Sequence, residues 1–294
     1  MASAISTIRE LGGHTVRDFD GKTAFVTGGA SGIGLAMGRA FAESGMKVML
    51  ADVETPALEK ALQVLNNFDN RVRGIRCDVA DPNSVERAAQ ATFDAFGNVH
   101  VLCNNAGVAA GGGIDNVSID NWRWVVDVNL MGVVYGVRNF LPHMLKHREG
   151  GHIVNTASMA GMFNGMGFSP YAATKFAVVA MSEGLAAQLQ PHGIGVSVLC
   201  PEYVRTRIGE SGRNRPERYG EAPQLDPASP AAQVVAEIAR RLEAGIDPGK
   251  VAARVVAAIR NEEFYIFTHP NMREVVDRRF AAIQAAMDRV NANS

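Results

Sequence analysis

The sequence predicts an α/β fold in which a doubly wound parallel sheet carries helices on both faces, within a single domain. Two observations lead to this prediction. Short apolar runs alternate without interruption with amphipathic stretches of helical period. The stretch from Thr23 to Asp52 reads as strand, glycine-rich turn, helix, strand and acidic residue, which is the order of a nucleotide-binding βαβ unit.

The glycine-rich turn joins a predicted strand at 23–26 to a predicted helix at 35–43. Gly28 allows a tight exit from the strand, and Gly32 lets a pyrophosphate approach the backbone. Gly34 lets the helix pack closely on the sheet, and the N-terminus of the helix presents free N–H groups to phosphates. The residues of the turn that we expect to bind a dinucleotide are Gly28, Ser31, Gly32, Ile33 and Gly34.

Asp52 follows the second predicted strand, 47–51, where its carboxylate would accept hydrogen bonds from an adenosine ribose. The same negative charge would repel a 2′-phosphate. No Arg or Lys follows Asp52 closely, and none lies between Gly28 and Gly34. The sequence therefore favours NAD over NADP as the cofactor.

The remaining elements continue the alternation of strand and helix. Predicted helices begin at a proline or end at a glycine at several points, for example Pro56, Pro82 and Gly97. The other predicted strands are 71–77, 99–104, 152–157, 195–200 and 263–268. The other predicted helices are 55–67, 82–96, 118–147, 170–190, 231–243, 248–262 and 272–290.

Two segments do not follow this alternation of strands and helices. Residues 1–20 precede the first strand and form a predicted N-terminal arm. The stretch 205–247 is rich in proline and polar residues, and 209–229 within it reads as a long irregular loop. Loops of that length in a compact domain are typically lids, so we interpret the stretch as a substrate lid on one domain that spans 21–294.

Composition argues against several classes of function. The formal net charge of -1 gives no basis for binding nucleic acid or an anionic membrane surface. No apolar run reaches the ~18 residues of a membrane span, and the N-terminus lacks the apolar core of a signal peptide. The three cysteines, Cys77, Cys103 and Cys200, stand far apart, and His143 and His147 lack an acidic third ligand. We therefore expect a cytoplasmic protein without a metal site.

Five motifs follow one another along the chain. They are Thr27-Gly28-x-x-x-Gly32-Ile33-Gly34, Asn104-Asn105-Ala106-Gly107, Asn129, Ser158 and Tyr171-x-x-x-Lys175. In this order and spacing they resemble the short-chain dehydrogenase/reductase family, from about residue 20 to about residue 206. The resemblance implies a Rossmann-type sheet of about seven strands, hydride exchange between a nicotinamide cofactor and an alcohol/ketone pair, and assembly as a homodimer or homotetramer.

The predicted catalytic residues are Asn129, Ser158, Tyr171 and Lys175. Tyr171 and Lys175 lie at i and i+4 of a predicted helix and share a face, although this pattern alone is more often a surface pair. A free tyrosine titrates near pH ~10, and a nearby ammonium group would lower that pKa. Ser158 follows a strand, where its hydroxyl would bind the substrate oxygen. The resemblance implies that Tyr171 exchanges the alcohol proton, that Lys175 also holds the nicotinamide ribose, and that Asn129 steadies a water beside Lys175.

The resemblance also assigns cofactor contacts position by position. They are Asp78 and Val79 beside the adenine, Asn105, Ala106 and Gly107 beside the adenosine ribose, and Pro201, Val204 and Thr206 at the nicotinamide carboxamide. Glu202 stands where the family has glycine. Because Glu does not readily adopt positive φ, the backbone or the polarity beside the nicotinamide would differ from the family pattern.

Candidate substrate residues fall into an apolar group and a basic group. The apolar group precedes Tyr171 and comprises Met159, Met162, Phe163, Met166 and Phe168. It suits a bulky aromatic or polycyclic substrate, with ordinary core packing as an equal alternative. Tyr203 and the lid would close over the ligand. The basic group would suit an acidic substrate group, although a solvated lid face explains it better; it comprises Arg205, Arg207, Arg213, Arg215 and Arg218.

The resulting hypothesis is an NAD-dependent dehydrogenase that interconverts a hydrophobic secondary alcohol and its ketone. The alternative is a catalytically silent NAD-binding regulator or scaffold of the same fold, which would be expected to lose a catalytic residue. Epimerase or dehydratase chemistry on this fold is a third alternative, which the simple reductase spacing disfavours.

Overall fold

A seven-stranded sheet forms the centre of the molecule, with the strand order β3-β2-β1-β4-β5-β6-β7. The computed structural model describes residues 16–110, 112–165, 169–221 and 228–291. All strand pairs are parallel. The strands are β1 (Thr23–Thr27), β2 (Lys47–Asp52), β3 (Val72–Arg76), β4 (Val101–Asn104), β5 (Gly151–Thr156), β6 (Ile194–Cys200) and β7 (Tyr265–Phe267). The predicted doubly wound parallel sheet is confirmed.

The helices connect these strands and cover both faces. They are α1 (Gly32–Glu43), α2 (Thr55–Val64), α3 (Pro82–Phe96), α4 (Ile119–Val126), α5 (Gly132–His147), α6 (Ser169–Leu189), α7 (Pro230–Glu243), α8 (Pro248–Arg260) and α9 (Arg273–Asn291). None of the helices within the described ranges combines the length and the apolar character that a membrane span requires.

Alternate residues of β1 show how the two faces are filled. Ala24 and Val26 pack in a core with Phe41 of α1 and Val255 of α8. Phe25 points to the opposite face, where its ring centroid lies 4.4 Å from that of Phe140 in α5. Successive side chains of a strand point to opposite faces, so a strand that is apolar throughout needs helices on both sides.

Several predicted boundaries differ from the observed ones. The predicted helix 118–147 is two helices joined by a π-helical turn, Asp127–Met131, which carries Asn129. The loop predicted at 209–229 contains two 3₁₀ helices, Ile208–Asn214 and Glu217–Tyr219. Periodicity alone does not detect such changes, since the apolar pattern continues through the π turn and is absent from the short 3₁₀ turns.

The predicted N-terminal arm lies partly outside the described residues, because the description begins at residue 16. Its described end packs onto the domain. Val16 and Phe19 are buried, and the ring of Phe19 meets that of Phe41 edge to face with centroids 6.0 Å apart. These residues therefore extend the core beneath α1.

Candidate active site

The carboxyl ends of the central strands open into a cavity of about 570 Å³. In a doubly wound sheet, ligands bind at this edge where the strand order reverses, which here is between β1 and β4. The cavity wall includes every predicted cofactor-binding residue except Gly34. It also includes the predicted catalytic residues Ser158, Tyr171 and Lys175, but not Asn129. The fold thus brings distant segments of the sequence to one place.

The glycine-rich turn forms one wall of the cavity. Gly28 and Gly32 have φ angles of +64° and +52°, a region that residues with a Cβ rarely occupy. A Cβ on Gly34 would lie 2.1 Å from the carbonyl oxygen of Gly28, so Gly34 supports the turn from behind. Because α1 begins at Gly32, its N-terminus lies at the cavity wall. This cradle fits the pyrophosphate of a dinucleotide cofactor.

Asp52 is buried at the end of β2 and ties this strand to the glycine-rich turn. Its two carboxylate oxygens accept hydrogen bonds from the backbone N–H groups of Ala30 and Glu54, each at 3.0 Å. Burial raises the pKa of Asp52, and the backbone hydrogen bonds oppose the rise. Each oxygen retains a second lone pair for a ligand hydroxyl. Asp52 therefore has a structural role that the sequence did not predict, alongside its place in the cavity wall.

Lys175 is buried, and its ammonium group donates a hydrogen bond of 2.9 Å to the carbonyl oxygen of Thr156. The Nζ atom lies 5.5 Å from the ring centroid of Tyr171. Burial lowers the pKa of Lys175 to about 8. The i and i+4 positions on α6 thus bring an ammonium group and a phenol ring to the same end of β5.

The pKa of Tyr171 differs from the expectation drawn from the sequence. Burial raises it, and the hydrogen bond with Ser158 opposes the rise. Lys175 does not contribute to this shift of the Tyr171 pKa, and its ammonium group is hydrogen-bonded to the carbonyl of Thr156. Burial of Tyr171 therefore favours the phenol over the phenolate.

Asn129 is fully buried beside the catalytic residues. Its Oδ1 accepts a hydrogen bond of 2.8 Å from the backbone N–H of Val108, and its Nδ2 donates to the Val108 carbonyl at 2.9 Å. A Cβ added to Gly107 would lie 3.4 Å from Asn129 Oδ1 and 3.5 Å from Lys175 Nζ. Asn129 thus fixes the loop after β4 in a position next to Lys175.

Comparison with known proteins agrees with this geometry. The model of the family described as short chain dehydrogenase matches residues 22–217. The chain belongs to the short-chain dehydrogenase family. It is therefore an oxidoreductase of CH–OH groups that acts on a small-molecule substrate with a nicotinamide cofactor.

Individual relatives extend the similarity to nearly the whole chain. The C alpha-dehydrogenase of Sphingobium sp. (strain NBRC 103272 / SYK-6) is 34% identical over 269 residues, covering 91% of this chain and 87% of the relative. The 1-deoxy-11-beta-hydroxypentalenate dehydrogenase of Streptomyces exfoliatus is 34% identical over 254 residues, covering 86% and 84%. A short-chain dehydrogenase/reductase from Burkholderia phymatum, solved in complex with NAD, matches with a TM-score of 0.88 and 39% identity, covering 92% and 96%.

A short segment of this short-chain dehydrogenase crosses the cavity on the side of Asp52. We call residues 208–219 the strap. Arg213 forms an ion pair of 2.7 Å with Glu54, two residues after Asp52. Arg218 forms an ion pair of 2.8 Å with Asp78. The sequence-based search for cations near Asp52 missed Arg213 because the fold brings it there from far along the chain.

The basic residues expected on the lid all have partners within the chain. Besides the two strap pairs, Arg205 binds Asp247, Arg207 binds Glu210, and Arg215 binds Asn121 and lies over the ring of Trp124. Four of the five arginines are thus paired with carboxylates within the chain, and Arg215 is bound by neutral groups, which weakens the argument for a site that binds an acidic substrate group.

The wall on the Tyr171 side is largely apolar. Met159 and Phe163 line the cavity, whereas Met162 packs into the core behind it. Met166 and Phe168 lie outside the described residues. The cavity wall also contains apolar residues that could not be placed there from the sequence, because they come from a loop and from the last helical segments; they include Val108, Ile238, Leu242, Met272 and Val275.

Thr27 is a further residue whose role the sequence analysis did not assign. Its Oγ1 accepts hydrogen bonds from the backbone N–H groups of Asn105 and Ala106, at 2.9 and 3.0 Å. It thereby joins the end of β1 to the turn after β4. A hydroxyl residue at the end of an otherwise apolar strand is the sequence signal that points to such a role.

Proposed function

We propose that this protein interconverts a bulky hydrophobic secondary alcohol and its ketone, with NAD as the preferred cofactor and Tyr171 as the general acid/base. The observation that carries the proposal is the meeting of Ser158, Tyr171 and Lys175 in the wall of the cavity that also contains the glycine-rich turn. When bound, the nicotinamide supplies the hydride acceptor for oxidation and the donor for reduction.

The chain's own residues then hold the substrate and move its proton. Ser158 and Tyr171 bind the substrate oxygen, and Tyr171 removes the hydroxyl proton in oxidation or returns it in reduction. Since burial raises the Tyr171 pKa in the protein alone, the phenolate needs positive charge beside it during the reaction. Lys175 supplies that charge and holds the nicotinamide ribose. Asn129 fixes the loop after β4 that lies next to Lys175.

The preference for NAD is supported by Asp52. Its carboxylate lies in the cavity wall and is held by two backbone hydrogen bonds, so it would not move away from a 2′-phosphate. Arg213 is bound to Glu54, and this pairing makes its charge less available to such a phosphate. The remaining proposed contacts are those of the glycine-rich turn and of Asp78, Val79, Asn105, Ala106, Gly107, Pro201, Val204 and Thr206.

The preference for a bulky substrate is supported by the apolar wall and by the names of the relatives. Two helices contribute to this wall, α7 through Leu242 and α9 through Val275. The relatives named above act on a hydroxypentalenate and, by name, at a C alpha position. We extend the lid proposal accordingly: the strap covers the adenosine side of the cavity, and α7 covers the substrate side.

Exposed apolar residues such as Phe267 and Phe280 also support assembly as a homodimer or homotetramer.

The proposal is tested by following NADH formation with matched panels of aliphatic, benzylic and polycyclic secondary alcohols, with NAD and NADP in parallel. Turnover with NAD on one bulky class is the expected result. Turnover with NADP alone would contradict the cofactor assignment. If NAD binds in calorimetry and no alcohol or ketone reacts, the catalytically silent regulator becomes the better description.

A further inference from the structure

Glu202 is a residue of the cavity wall whose carboxylate has no partner among the described residues. The other acidic residues of the wall, Asp52, Glu54 and Asp78, each accept a hydrogen bond from a donor within the chain. Across the described part of the chain, neither a cation nor a hydrogen-bond donor is paired with the partly buried Glu202. The carboxylate therefore keeps its full capacity to accept hydrogen bonds from a ligand.

The backbone holds Glu202 beside the catalytic residues. The carbonyl of Pro201 accepts a hydrogen bond of 3.4 Å from Ser158 Oγ, and the carbonyl of Tyr203 accepts one of 3.1 Å from the N–H of Ile246. Strain is expected from the sequence at Glu202 because glycine at this position can adopt a positive φ. Glu202 is not among the described non-glycine residues that have a positive φ. Glu202 thus has an ordinary backbone that is fixed on both sides.

The neighbouring positive charge is already engaged. Arg241 also lines the cavity and lies over the ring of Tyr203, with 5.5 Å from its guanidinium carbon to the ring centroid. Its Nε binds Glu237 at 2.6 Å, one turn earlier on α7. Since Arg241 has its own carboxylate partner, it does not neutralise Glu202. A ligand enclosed by the apolar wall would leave Glu202 desolvated and unpaired unless the ligand brought a donor.

We propose that Glu202 determines substrate specificity by accepting a hydrogen bond from a second hydroxyl group of the substrate. The substrate class is then a bulky secondary alcohol that carries another alcohol or phenol group close to the reacting carbon. A hydroxyl suits this wall better than an ammonium group, because an ammonium group must itself lose a large hydration energy on entering an apolar cavity. This proposal rests on the proposed function and narrows its substrate.

The experiment measures binding in a Tyr171→Phe background saturated with NAD, so that a complex with an alcohol forms without turnover. Calorimetry compares pairs of aryl and alicyclic secondary alcohols that differ only in a second hydroxyl group, together with the corresponding amino analogues. The comparison is repeated with Glu202→Gln and Glu202→Ala. Glu243→Ala is the matched control, since Glu243 is an exposed glutamate at the end of α7 and lies outside the cavity wall.

With Glu202 present, we expect at least one dihydroxy alcohol to bind about tenfold more tightly than its monohydroxy partner. The preference should shrink to a few-fold in Glu202→Gln, vanish in Glu202→Ala, and persist in Glu243→Ala. Equal binding within every pair, or absence of binding by every dihydroxy member, overturns the proposal. Tighter binding of the amino analogues overturns the assignment to a hydroxyl. If Glu202→Gln and Glu202→Ala both lose NAD affinity equally and the alcohol preference does not change, Glu202 binds the cofactor instead.

Wild-type turnover of both members of each pair, the monohydroxy and the dihydroxy alcohol, is measured separately. Turnover without any hydroxyl preference preserves the proposed function and removes the role of Glu202. Preferential binding of dihydroxy alcohols without wild-type turnover supports the role of Glu202 and removes the proposed reaction. The two proposals can therefore fail independently.

Discussion

Each edge of the sheet carries a cluster of ionisable side chains, and the clusters differ in what their polar atoms bind. At the carboxyl edge, Tyr171, Lys175 and Ser158 lie in the wall of the cavity. At the amino edge, a second group of residues, which we call the basal cluster, is centred on the buried His100. Its members are Lys22, Asn98, His100, His147 and Glu149.

The basal cluster is satisfied by the protein itself. His100 Nδ1 accepts a hydrogen bond of 3.1 Å from the N–H of Thr23, so Nε2 carries the proton that it donates to Glu149 at 2.8 Å. The N–H of Glu149 donates to His147 Nδ1 at 3.0 Å, and His147 Nε2 donates to the Val99 carbonyl at 3.0 Å. The ligand atoms of His100, His147 and Glu149 lie within 4.8 Å of one another, but the ring nitrogens have no free lone pair for a metal.

Ionisable residues that lie close together do not by themselves form a binding site. At the amino edge, the polar groups of the basal cluster satisfy one another by hydrogen bonds. At the carboxyl edge, by contrast, Glu202 lies in the cavity wall and can still accept hydrogen bonds from a ligand. We expect the basal cluster to control stability and the residues at the carboxyl edge to control turnover. Substitutions at three positions, Tyr171, Glu149 and Arg213, test that division.

Replacing Tyr171 with Phe should have the largest effect. The change keeps the ring and its packing but removes the group that exchanges the proton, so kcat should fall by about 10²–10⁴-fold. The NAD dissociation constant and the melting temperature should stay near the wild-type values. Steady-state turnover and calorimetry measure these quantities, with Tyr135→Phe as a control outside the cavity wall. Retention of most of the activity by Tyr171→Phe would remove Tyr171 from the proton transfer.

How far the sequence could predict these clusters depends on whether their contacts are local. The βαβ unit and the Tyr171/Lys175 pair follow from spacing, because three- and four-residue separations on a helix dictate which side chains are neighbours. The sequence could not show that Lys175 binds the Thr156 carbonyl, that Arg213 reaches Glu54, or that Thr27 joins two strand ends. Those contacts depend on strand order and on loop paths, which leave no periodic signal.

The same limit explains the histidines. His143 and His147 attract attention at i and i+4, yet the ring of His143 stacks on Phe93 with centroids 3.9 Å apart. His147 instead joins His100 and Glu149, residues from a different strand end and turn. Helical spacing places two rings on one face, but the neighbouring elements decide what each ring binds.

Replacing Glu149 should have a smaller effect, on stability alone. Glu149→Ala leaves the buried Nε2–H of His100 without its acceptor, which should lower the free energy of unfolding by about 1–2 kcal/mol. Glu149→Gln keeps an acceptor oxygen and should cost less. Denaturant unfolding measures both variants, and kcat at saturating substrate should remain unchanged. A large fall in kcat with unchanged stability would contradict the division between the two edges.

The pH dependence of the same variants has a defined sign. Hydrogen bonds from His100, Lys22 and Asn98 lower the pKa of Glu149 from 4.5 to about 2. The resulting stability is fully present above the unfolded-state pKa and is lost as the pH falls from 4.5 through about 2. Glu149→Gln should therefore lose less stability than the wild type as the pH falls from about 4.5 towards about 2. Parallel acid-induced losses in the two proteins would show that Glu149 is not the group that titrates.

The strap should show the smallest effect, on the release of cofactor. Its ion pairs from Arg213 to Glu54 and from Arg218 to Asp78 hold it across the adenosine side of the cavity. Pairs near the surface contribute up to about 1 kcal/mol each, so Arg213→Gln should raise the NADH dissociation rate by no more than about fivefold. Stopped-flow fluorescence measures this rate, with Arg123→Gln as the control, since the Arg123–Asp120 pair lies on the surface of α4.

Salt provides the second readout for the strap. Because salt screens exposed charges more than buried ones, raising the ionic strength should accelerate NADH release from the wild type and change Arg213→Gln less. The stability that the basal cluster provides should change little with salt, since the carboxylate of Glu149 accepts a hydrogen bond from the buried ring of His100 and does not depend on ion pairing alone. Equal acceleration of release in both proteins would mean that the Arg213–Glu54 pair does not hold the strap closed. In that case, packing would hold the strap over the cavity at the carboxyl edge, whereas hydrogen bonds order the basal cluster at the amino edge.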